Sequence, residues 1–359
     1  MSARCYFDWN ATFPLRPEAR DAMIAALDQV GNPSSVHAEG RAARGIVERA
    51  RGQVAALVGC APGEVVFTSG ATEGASVLGH LPLTSAVCVE ETAHDCLWAH
   101  FDLTGASEPE APGHVLAMGL ANSETGVITE PKAEEDGRYA FGSVRCSSLF
   151  LDVVQAVGRI PFSFAWSGAT MALVSAHKIG GPKGVGALIV KTGTDMEPVL
   201  AGGGQELGRR SGTENVAGIA GFGAAAEAAL AELNDGTWGR VEKLRNILEK
   251  ALASETKETI FVGNDSPRLP NTSCFVTPGW KGETQVMQMD LAGFAVSSGS
   301  ACSSGKVKTP RVLAAMGLDK TAAESALRVS LGPSTTEEEI MRFADCWLKH
   351  EKKFRQKAA

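Results

Sequence analysis

The sequence lacks the features that mark metal-binding, membrane-spanning and nucleic-acid-binding chains. Its eight cysteines include no C-x-x-C pair and no cysteine–histidine cluster with zinc spacing, so we expect no metal site. The start, MSARCYFDWN, has no apolar signal core, and no stretch reaches the roughly 18 uncharged apolar residues of a membrane span. A formal net charge of −7 argues against nucleic acid or an acidic membrane as the main partner. These absences predict a cytoplasmic protein.

Short apolar runs alternate with helical patterns along the first two thirds of the chain. The runs that read as buried strands are 65–68, 114–120, 148–154, 169–176 and 185–191. The interleaved helical patterns, such as 40–59 with Gly59 as its end, predict an α/β fold with a mostly parallel sheet.

The length of 359 residues predicts two domains rather than one core. A long amphipathic helix is predicted over 238–253, followed by shorter strands such as 271–277. Thr336 and Glu339 have capping-box spacing at the start of a final helix. We place the boundary within the long helix, which gives a large domain at 15–245 and a smaller one at 1–14 with 246–359.

Two residues at predicted strand ends suggest cofactor chemistry. In SAHKIGGPKGVG (175–186) a strand delivers Lys178 to a glycine-rich turn, where a partly desolvated amine is a candidate for Schiff-base chemistry. Asp152 ends the apolar run SLFLD, where an unpaired carboxylate would be costly. In pyridoxal phosphate (PLP) enzymes a lysine bonds to the cofactor and an aspartate holds its ring nitrogen protonated. A plain ion pair between Asp152 and Lys178 is the alternative.

A candidate phosphate site lies in TSGATEG (68–74). A strand, Gly70 and then Ala71 and Thr72 at a helix start would present backbone N–H groups and a hydroxyl to an anion. The pattern is not a Walker motif.

The stretch SSGSACSSGK (297–306) surrounds Cys302 with small residues that would not bury it. The composition is typical of a solvated loop, so the thiol is either incidental to a linker or a reactive group.

Taken together, these motifs resemble those of a class V (fold type I) PLP enzyme, and specifically those of a group I cysteine desulfurase. They occur in family order over nearly the whole chain: Asn10-Ala11-Thr12, GNPSSVH (31–37), TSGATE (68–73), TAH (92–94), NSETG (122–126), Asp152 with Gln155, SAHKIGGPKGVGAL (175–188), GGGQELGRRSGT (202–213), SSGSACSSG (297–305) and LRVSLG (327–332). The resemblance implies a large domain with a mostly parallel mixed sheet flanked by helices, and a smaller α+β domain carrying the Cys302 loop.

The resemblance also implies a role for each matching residue. Lys178, Cys302 and His94 would be catalytic, and Arg328 and Asn10 would bind the substrate L-cysteine. The implied cofactor contacts are Ala71, Thr72, His94, Ser123, Asp152, Gln155, Ser175, His177, Lys178 and Thr213. Thr213 would reach across from a second subunit, which implies a homodimer with a shared active site and a separate sulfur-acceptor protein.

The chain departs from the family pattern at several positions. Ser123 replaces an asparagine in NSETG, Val153 replaces the alanine that packs on the cofactor ring, and Phe13 replaces a threonine in NATFP. GAS (74–76) replaces a more polar segment, and the region between His80 and Asp152 is shorter than usual. Three functions remain open at this point: a cysteine desulfurase, another PLP lyase or aminotransferase with an inactive Cys302, and a non-catalytic scaffold.

Overall fold

The structure, a computed structural model, describes residues 4–82, 84–109, 113–198, 200–299 and 310–358. The described strands are β1 (Cys5–Tyr6), β2 (Val65–Thr68), β3 (Val87–Val89), β4 (Val115–Gly119), β5 (Tyr139–Phe141), β6 (Val144–Cys146), β7 (Ser148–Asp152), β8 (Met171–Ser175), β9 (Gly186–Val190), β10 (Ile260–Phe261), β11 (Thr272–Val276), β12 (Phe294–Ala295), β13 (Ser297–Ser298) and β14 (Ala326–Ser330). The described α-helices are α1 (Pro17–Leu27), α2 (Ala38–Val58), α3 (Ala71–Ala75), α4 (Asp95–Trp98), α5 (Val216–Asn234), α6 (Thr237–Glu255), α7 (Gly282–Leu291), α8 (Arg311–Ala315), α9 (Lys320–Ala323) and α10 (Glu337–Ala358).

The chain divides into two compact units. One comprises residues 13–120 and 129–234, and the other comprises residues 1–12, 121–128 and 235–359. The first is called the large unit below, and the second the small unit.

A six-stranded sheet in the order β2-β9-β8-β7-β4-β3 forms the centre of the large unit. β3, β4, β7 and β8 pair in parallel, and β9 runs antiparallel to both of its neighbours. β2 therefore points the same way as β8, so five strands end at the same edge of the sheet. The prediction of a mixed, mostly parallel sheet is confirmed.

Helices cover both faces of this sheet, as successive residues of β2 show. Val66 packs in a cluster with Ala75 and Leu97, whereas Phe67 meets Phe222 of α5 edge to face, with ring centroids 6.2 Å apart. Both faces are thus apolar and buried, which explains why the central strands read as continuous apolar runs.

Local signals set the ends of several elements. α2 ends at Gly59, whose φ of 69° is the left-handed conformation that glycine adopts without strain. At the start of α10 the Thr336 backbone N–H donates to Glu339 and the Glu339 N–H donates to Thr336, which completes the expected capping box.

A four-stranded antiparallel sheet in the order β10-β11-β14-β13 forms the centre of the small unit. Buried aromatic side chains pack on it: Phe275 of β11 meets Trp347 of α10 edge to face, with ring centroids 5.2 Å apart. α6 packs against α10 in the same unit.

The bounds of the compact units differ from the predicted domains 15–245 and 1–14 with 246–359. The large unit ends at the last residue of α5, and the small unit resumes at Asp235. The whole of α6 therefore belongs to the small unit, where it packs against α10. Residues 121–128 also join the small unit, where Val127 bridges to Arg268. A sequence pattern cannot show such an excursion within one continuous stretch of chain.

Among the described helices, α5 is long and apolar enough to cross a membrane by length and composition alone. Core packing accounts for this composition. Gly221 and Gly223 of α5 lie against Ala19 of α1 and Ala50 of α2, and Arg16 forms an ion pair with Glu232 at 2.6 Å.

Candidate active site

Most of the predicted cofactor residues of the large unit lie at the edge where its parallel strands end. Thr68 ends β2, Asp152 ends β7 and Ser175 ends β8. Thr68 and Ser175 both pair with Gly186 of β9, one on each side. Ligand sites of α/β sheets lie at this edge, because the loops that follow the strands converge there.

The turn before α3 approaches this edge closely. A Cβ atom on Gly186 would lie 2.8 Å from the Gly70 Cα and 2.7 Å from the Val174 carbonyl oxygen. Only glycine at position 186 therefore lets the turn at Ser69–Gly70 lie against β9. This contact holds Ala71 and Thr72 beside the strand ends, where the sequence predicts phosphate binding.

Asp152, His94 and Cys96 form a compact cluster at the same edge. Each residue contributes one atom: a carboxylate oxygen, a ring nitrogen and the sulfur. These three atoms lie within 4.8 Å of one another. The His94 Nδ1 accepts a hydrogen bond from the Cys96 backbone N–H at 3.1 Å. The neutral ring consequently carries its proton on Nε2.

Burial sets the protonation of the two acidic members of this cluster. It raises the pKa of Asp152, while the nearby His94 and Lys178 partly oppose this shift and the Val154 N–H donates to the carboxylate at 2.9 Å. Burial, followed by the negative charge of Asp152, raises the pKa of the Cys96 thiol. Cys96 is therefore a neutral thiol beside the carboxyl group.

Lys178 lies one turn beyond the end of β8, in the short helical segment Ala176–Lys178. Its backbone carbonyl accepts a hydrogen bond from Arg159 Nη2 at 3.2 Å, and Arg159 Nη1 also donates to the Gln155 side-chain oxygen at 2.5 Å. Arg159 and Gln155 are buried. Arg159 thus ties the Gln155 loop to the lysine segment.

His177 lies beside Lys178, Lys183 and Arg159. Burial and then these three cations lower its pKa to about 4. The ring is neutral at pH 7 and can donate or accept one hydrogen bond at each nitrogen.

Thr213 is exposed and lines a cavity of about 190 Å³ within the large unit, together with Thr68, Ser69 and Arg210. Arg210 forms an ion pair with Glu73 of α3, with Nε and Oε1 2.9 Å apart. The GGGQELGRRSGT segment and the predicted phosphate turn are therefore joined within one chain.

The two predicted substrate residues lie together in the small unit. Arg328 of β14 donates from Nη1 to the Ser123 carbonyl oxygen at 3.0 Å, and Asn10 donates to the same oxygen at 3.2 Å. Asp8 accepts from Arg328 Nη2 at 2.7 Å. Ser123 thus contacts both residues through its backbone carbonyl. The replacement of an asparagine by serine at this position leaves these two hydrogen bonds possible.

Cys302 lies outside the described residues. The strand that leads toward it, β13, is described and pairs with β14 at Ser297 and Arg328. Ser297 is thus opposite Arg328 in the register of the sheet.

The donor set of the large unit fits PLP. An amine follows the end of β8, and a largely buried carboxyl group ends the neighbouring β7. Hydroxyl groups lie at Ser175, which ends β8, and at Thr72 in the first turn of α3, after the turn that only glycine at position 186 permits. These are the groups that would bond to the aldehyde, face the ring nitrogen and bind the phosphate.

Sequence reasoning missed three residues at these sites: Asp8, Cys96 and Arg159. Asp8 stands two residues before Asn10, a predicted substrate residue, and this closeness to a motif is the signal that could have found it. Cys96 and Arg159 gave no signal, because the contacts that bring them to the site, with Asp152 and with the Lys178 carbonyl, join segments that are distant along the chain.

Comparisons with known proteins agree with this arrangement. A family model described as aminotransferase class V matches residues 5–85 and 113–343, so the chain belongs to the class V aminotransferase family. A cysteine desulfurase from Cereibacter sphaeroides is 37% identical over 372 residues, which cover 95% of this chain and 94% of that protein. One from Enterobacter agglomerans is 37% identical over 364 residues, covering 93% and 89%.

A solved structure of a NifS-like protein from Rickettsia africae is 29% identical, with a TM-score of 0.84, and covers 96% of this chain and 99% of that chain. The predicted resemblance to the cysteine desulfurases is confirmed, and so is the fold.

Proposed function

We propose that this chain is a PLP-dependent cysteine desulfurase that converts L-cysteine to L-alanine and carries the sulfur on Cys302. One observation supports the cofactor above the others: the carboxyl group of Asp152 ends one parallel strand, and Lys178 follows the end of the next. The relatives that cover most of the chain are named cysteine desulfurases, which favours this reaction over other chemistry of the family.

The residues of the large unit would hold the cofactor and move protons. Lys178 would bond to it and release it to the substrate amine, then take the Cα proton. Asp152 would face the ring nitrogen, His94 would stack on the ring, and Gln155 would contact its hydroxyl group. Thr72, Ser175 and His177 would bind the phosphate. PLP, when bound, supplies an electron sink for the bonding changes at the amino acid.

Arg328 would bind the substrate carboxylate, to which its planar guanidinium presents parallel donors. Asn10 would support it through their shared contact with the Ser123 carbonyl. The thiolate of Cys302 would then form an S–S bond with the substrate sulfur as the C–S bond breaks. The carbon gains a proton to become the methyl group of alanine, and the enzyme keeps a persulfide.

The active protein would be a homodimer, with Thr213 completing the phosphate site of the other subunit. Leu27, Val30, Val36 and Leu207 of the large unit are each more than 70% exposed, and burial of such side chains against a second copy would favour the dimer. The persulfide would pass to a separate acceptor protein, for iron–sulfur cluster assembly or for thiolation. We propose a cytoplasmic location without a membrane or nucleic-acid partner.

The test is the visible spectrum of the purified protein and its turnover of L-cysteine beside Cys302→Ser. Alanine and sulfide are measured in the presence of a dithiol, which reduces the persulfide and releases its sulfur as sulfide. Cys60→Ser, a half-buried thiol elsewhere in the large unit, is the matched control. We expect a yellow protein, equal alanine and sulfide, an inactive Cys302→Ser and an active control. A yellow protein whose Cys302→Ser variant is as active as the parent would show a different PLP reaction, and a colourless protein that PLP cannot reconstitute would show a scaffold.

A further inference from the structure

The cluster of His94, Cys96 and Asp152 has a chemical property that the proposed reaction does not use. It brings an imidazole nitrogen, a sulfur and a carboxylate oxygen within 4.8 Å of one another. These are the three ligand types that zinc takes in proteins, and three protein ligands leave the fourth position of a tetrahedron open.

The distances are close to those of a formed site. Bonds of about 2.0 to 2.3 Å at tetrahedral angles place two ligand atoms about 3.5 Å apart, so a pair at the 4.8 Å limit needs to close by about 1.3 Å. His94 is exposed and its ring is at the surface end of the cluster, so rotation about its side-chain bonds can supply this movement. Asp152 and Cys96 already lie in the interior.

The elements that carry the ligands are short and are held by packing. Cys96 is in the first turn of α4, and His94 precedes that helix as its N-cap. Leu97, the residue after Cys96, is fully buried in the cluster on one face of the sheet, which fixes the helix against β7. Cys96 therefore holds its position relative to Asp152 without a bound ion, and the His94 side chain is the part that moves.

Cys96 lies between residues 86 and 112, a segment that the family model does not match. The proposed reaction assigns roles to His94 and Asp152 and none to the thiol. The sequence predicted no metal site, because His94 and Cys96 are separated by one residue and the third ligand is more than fifty residues away.

We propose that the cofactor-free protein binds one thiophilic divalent cation such as Zn²⁺ through His94, Cys96 and Asp152, and that this cation excludes PLP. The Cys96 thiol loses its proton to water as the metal–sulfur bond forms. The His94 Nδ1 gives up its hydrogen bond from the Cys96 backbone N–H to bind the cation, and a water molecule takes the fourth position. The cation would exclude PLP because both need the Asp152 carboxylate and the His94 ring, which cannot bind the cation and face the cofactor at the same time. This second part alone rests on the proposed function.

The probe is Co²⁺, whose thiolate complexes show a charge-transfer absorption that imidazole and carboxylate complexes lack. Cofactor-free protein in a Cys302→Ser background is titrated with Co²⁺, so that the loop cysteine cannot supply the signal. We expect one equivalent to bind with the thiolate band, and Zn²⁺ to displace it. The band should be lost in Cys96→Ala and in Cys96→Ser, and kept in Cys60→Ala, which changes a thiol outside the cluster.

Two Cys96 variants are used because a smaller side chain leaves a cavity, while serine keeps the volume of the thiol. Circular dichroism identifies a variant that has not folded. A thiolate band that survives in the folded Cys96→Ser protein, or no band in the Cys302→Ser parent, would overturn the metal site.

The competition is measured separately, by adding Co²⁺ to the protein after reconstitution with PLP and following both absorptions. We expect no thiolate band until the cofactor is removed. A band of full intensity in the yellow protein would overturn the exclusion. The titration of the cofactor-free protein does not depend on turnover. It therefore tests the metal site even if the protein proves not to be a desulfurase.

Discussion

Arg328 and Asp8 form an ion pair in the small unit, with Nη2 and Oδ1 2.7 Å apart and only 3% of the Arg328 side chain exposed. The Nη1 of Arg328 donates to the Ser123 carbonyl. Its Nε is buried and has no hydrogen-bond partner among the described residues. A guanidinium held on two sides with a free donor edge is suited to a carboxylate ligand, and the charge of Asp8 sets how tightly that ligand binds.

The variant Asp8→Asn should lower the free energy of unfolding and strengthen carboxylate binding. It leaves a buried cation without its counter-charge, which costs about 3 to 5 kcal/mol. A bound carboxylate supplies the missing charge, so L-alanine, the proposed product, should raise the melting temperature of Asp8→Asn more than that of the parent. Thermal melts with and without L-alanine measure both effects.

The control for this variant is Asp290→Asn, which breaks an exposed ion pair with Arg4. It should change stability by about 1 kcal/mol or less and should not alter the response to L-alanine. An equal L-alanine shift in Asp8→Asn and the parent would show that Arg328 does not bind the carboxylate.

Replacing Asp152 by asparagine should weaken PLP binding and abolish most turnover, while the chain still folds. An amide keeps the size of the side chain but cannot carry the negative charge that holds the ring nitrogen protonated. We expect a loss of activity of about a hundredfold or more, with a changed visible spectrum. Asp95→Asn, one residue after His94 and exposed, is the matched control and should bind the cofactor as the parent does.

Gly186→Ala tests the close approach of the Ser69–Gly70 turn to β9. The added methyl group would lie 2.8 Å from the Gly70 Cα, and overpacking of this kind costs about 1 to 3 kcal/mol of stability. The displaced turn should also weaken PLP binding. Gly45→Ala in α2 has no atom within 4 Å of the new methyl group and should gain up to about 1 kcal/mol from helix propensity. Chemical denaturation and PLP titration of both variants make the comparison.

His177 should make the stability of the cofactor-free protein depend on pH in mildly acidic solution. Its pKa is lowered from 6.5 to about 4 in the folded chain, so between these values the unfolded state binds more protons. This contribution to stability is present in full above about pH 6.5 and is lost as the pH falls toward 4. The His177→Gln variant should show a smaller decrease in its free energy of unfolding between pH 7 and pH 5.

Urea denaturation at several pH values measures this dependence, with His80→Gln, an exposed histidine of the same unit, as the control. Equal slopes for the parent and His177→Gln would contradict the prediction.

Local patterns predicted the elements well where burial alone determines them. The expected strands at 65–68 and 271–277 are observed as Val65–Thr68 and Thr272–Val276. Each is a short apolar run bounded by turn residues, which is stable as a buried strand within a sheet. The run 148–154 was predicted two residues too long. The strand stops at Asp152, whose carboxylate accepts the Val154 N–H and turns the chain. The hairpin of β5 and β6 was not predicted, because its strands are short and only partly apolar.

The sequence by itself determined the class of this protein: the order of its strands and helices, the strand ends that carry Lys178 and Asp152, and the motifs that place it among the cysteine desulfurases. Only the tertiary structure decided which side chains meet. Asp8 forms an ion pair with Arg328, although the two residues are 320 positions apart along the chain. Cys96 lies beside Asp152 because the pairing of parallel strands brings their segments together. Periodicity and motif spacing record what is near along the chain, whereas these contacts depend on strand order and on the packing that brings distant segments together.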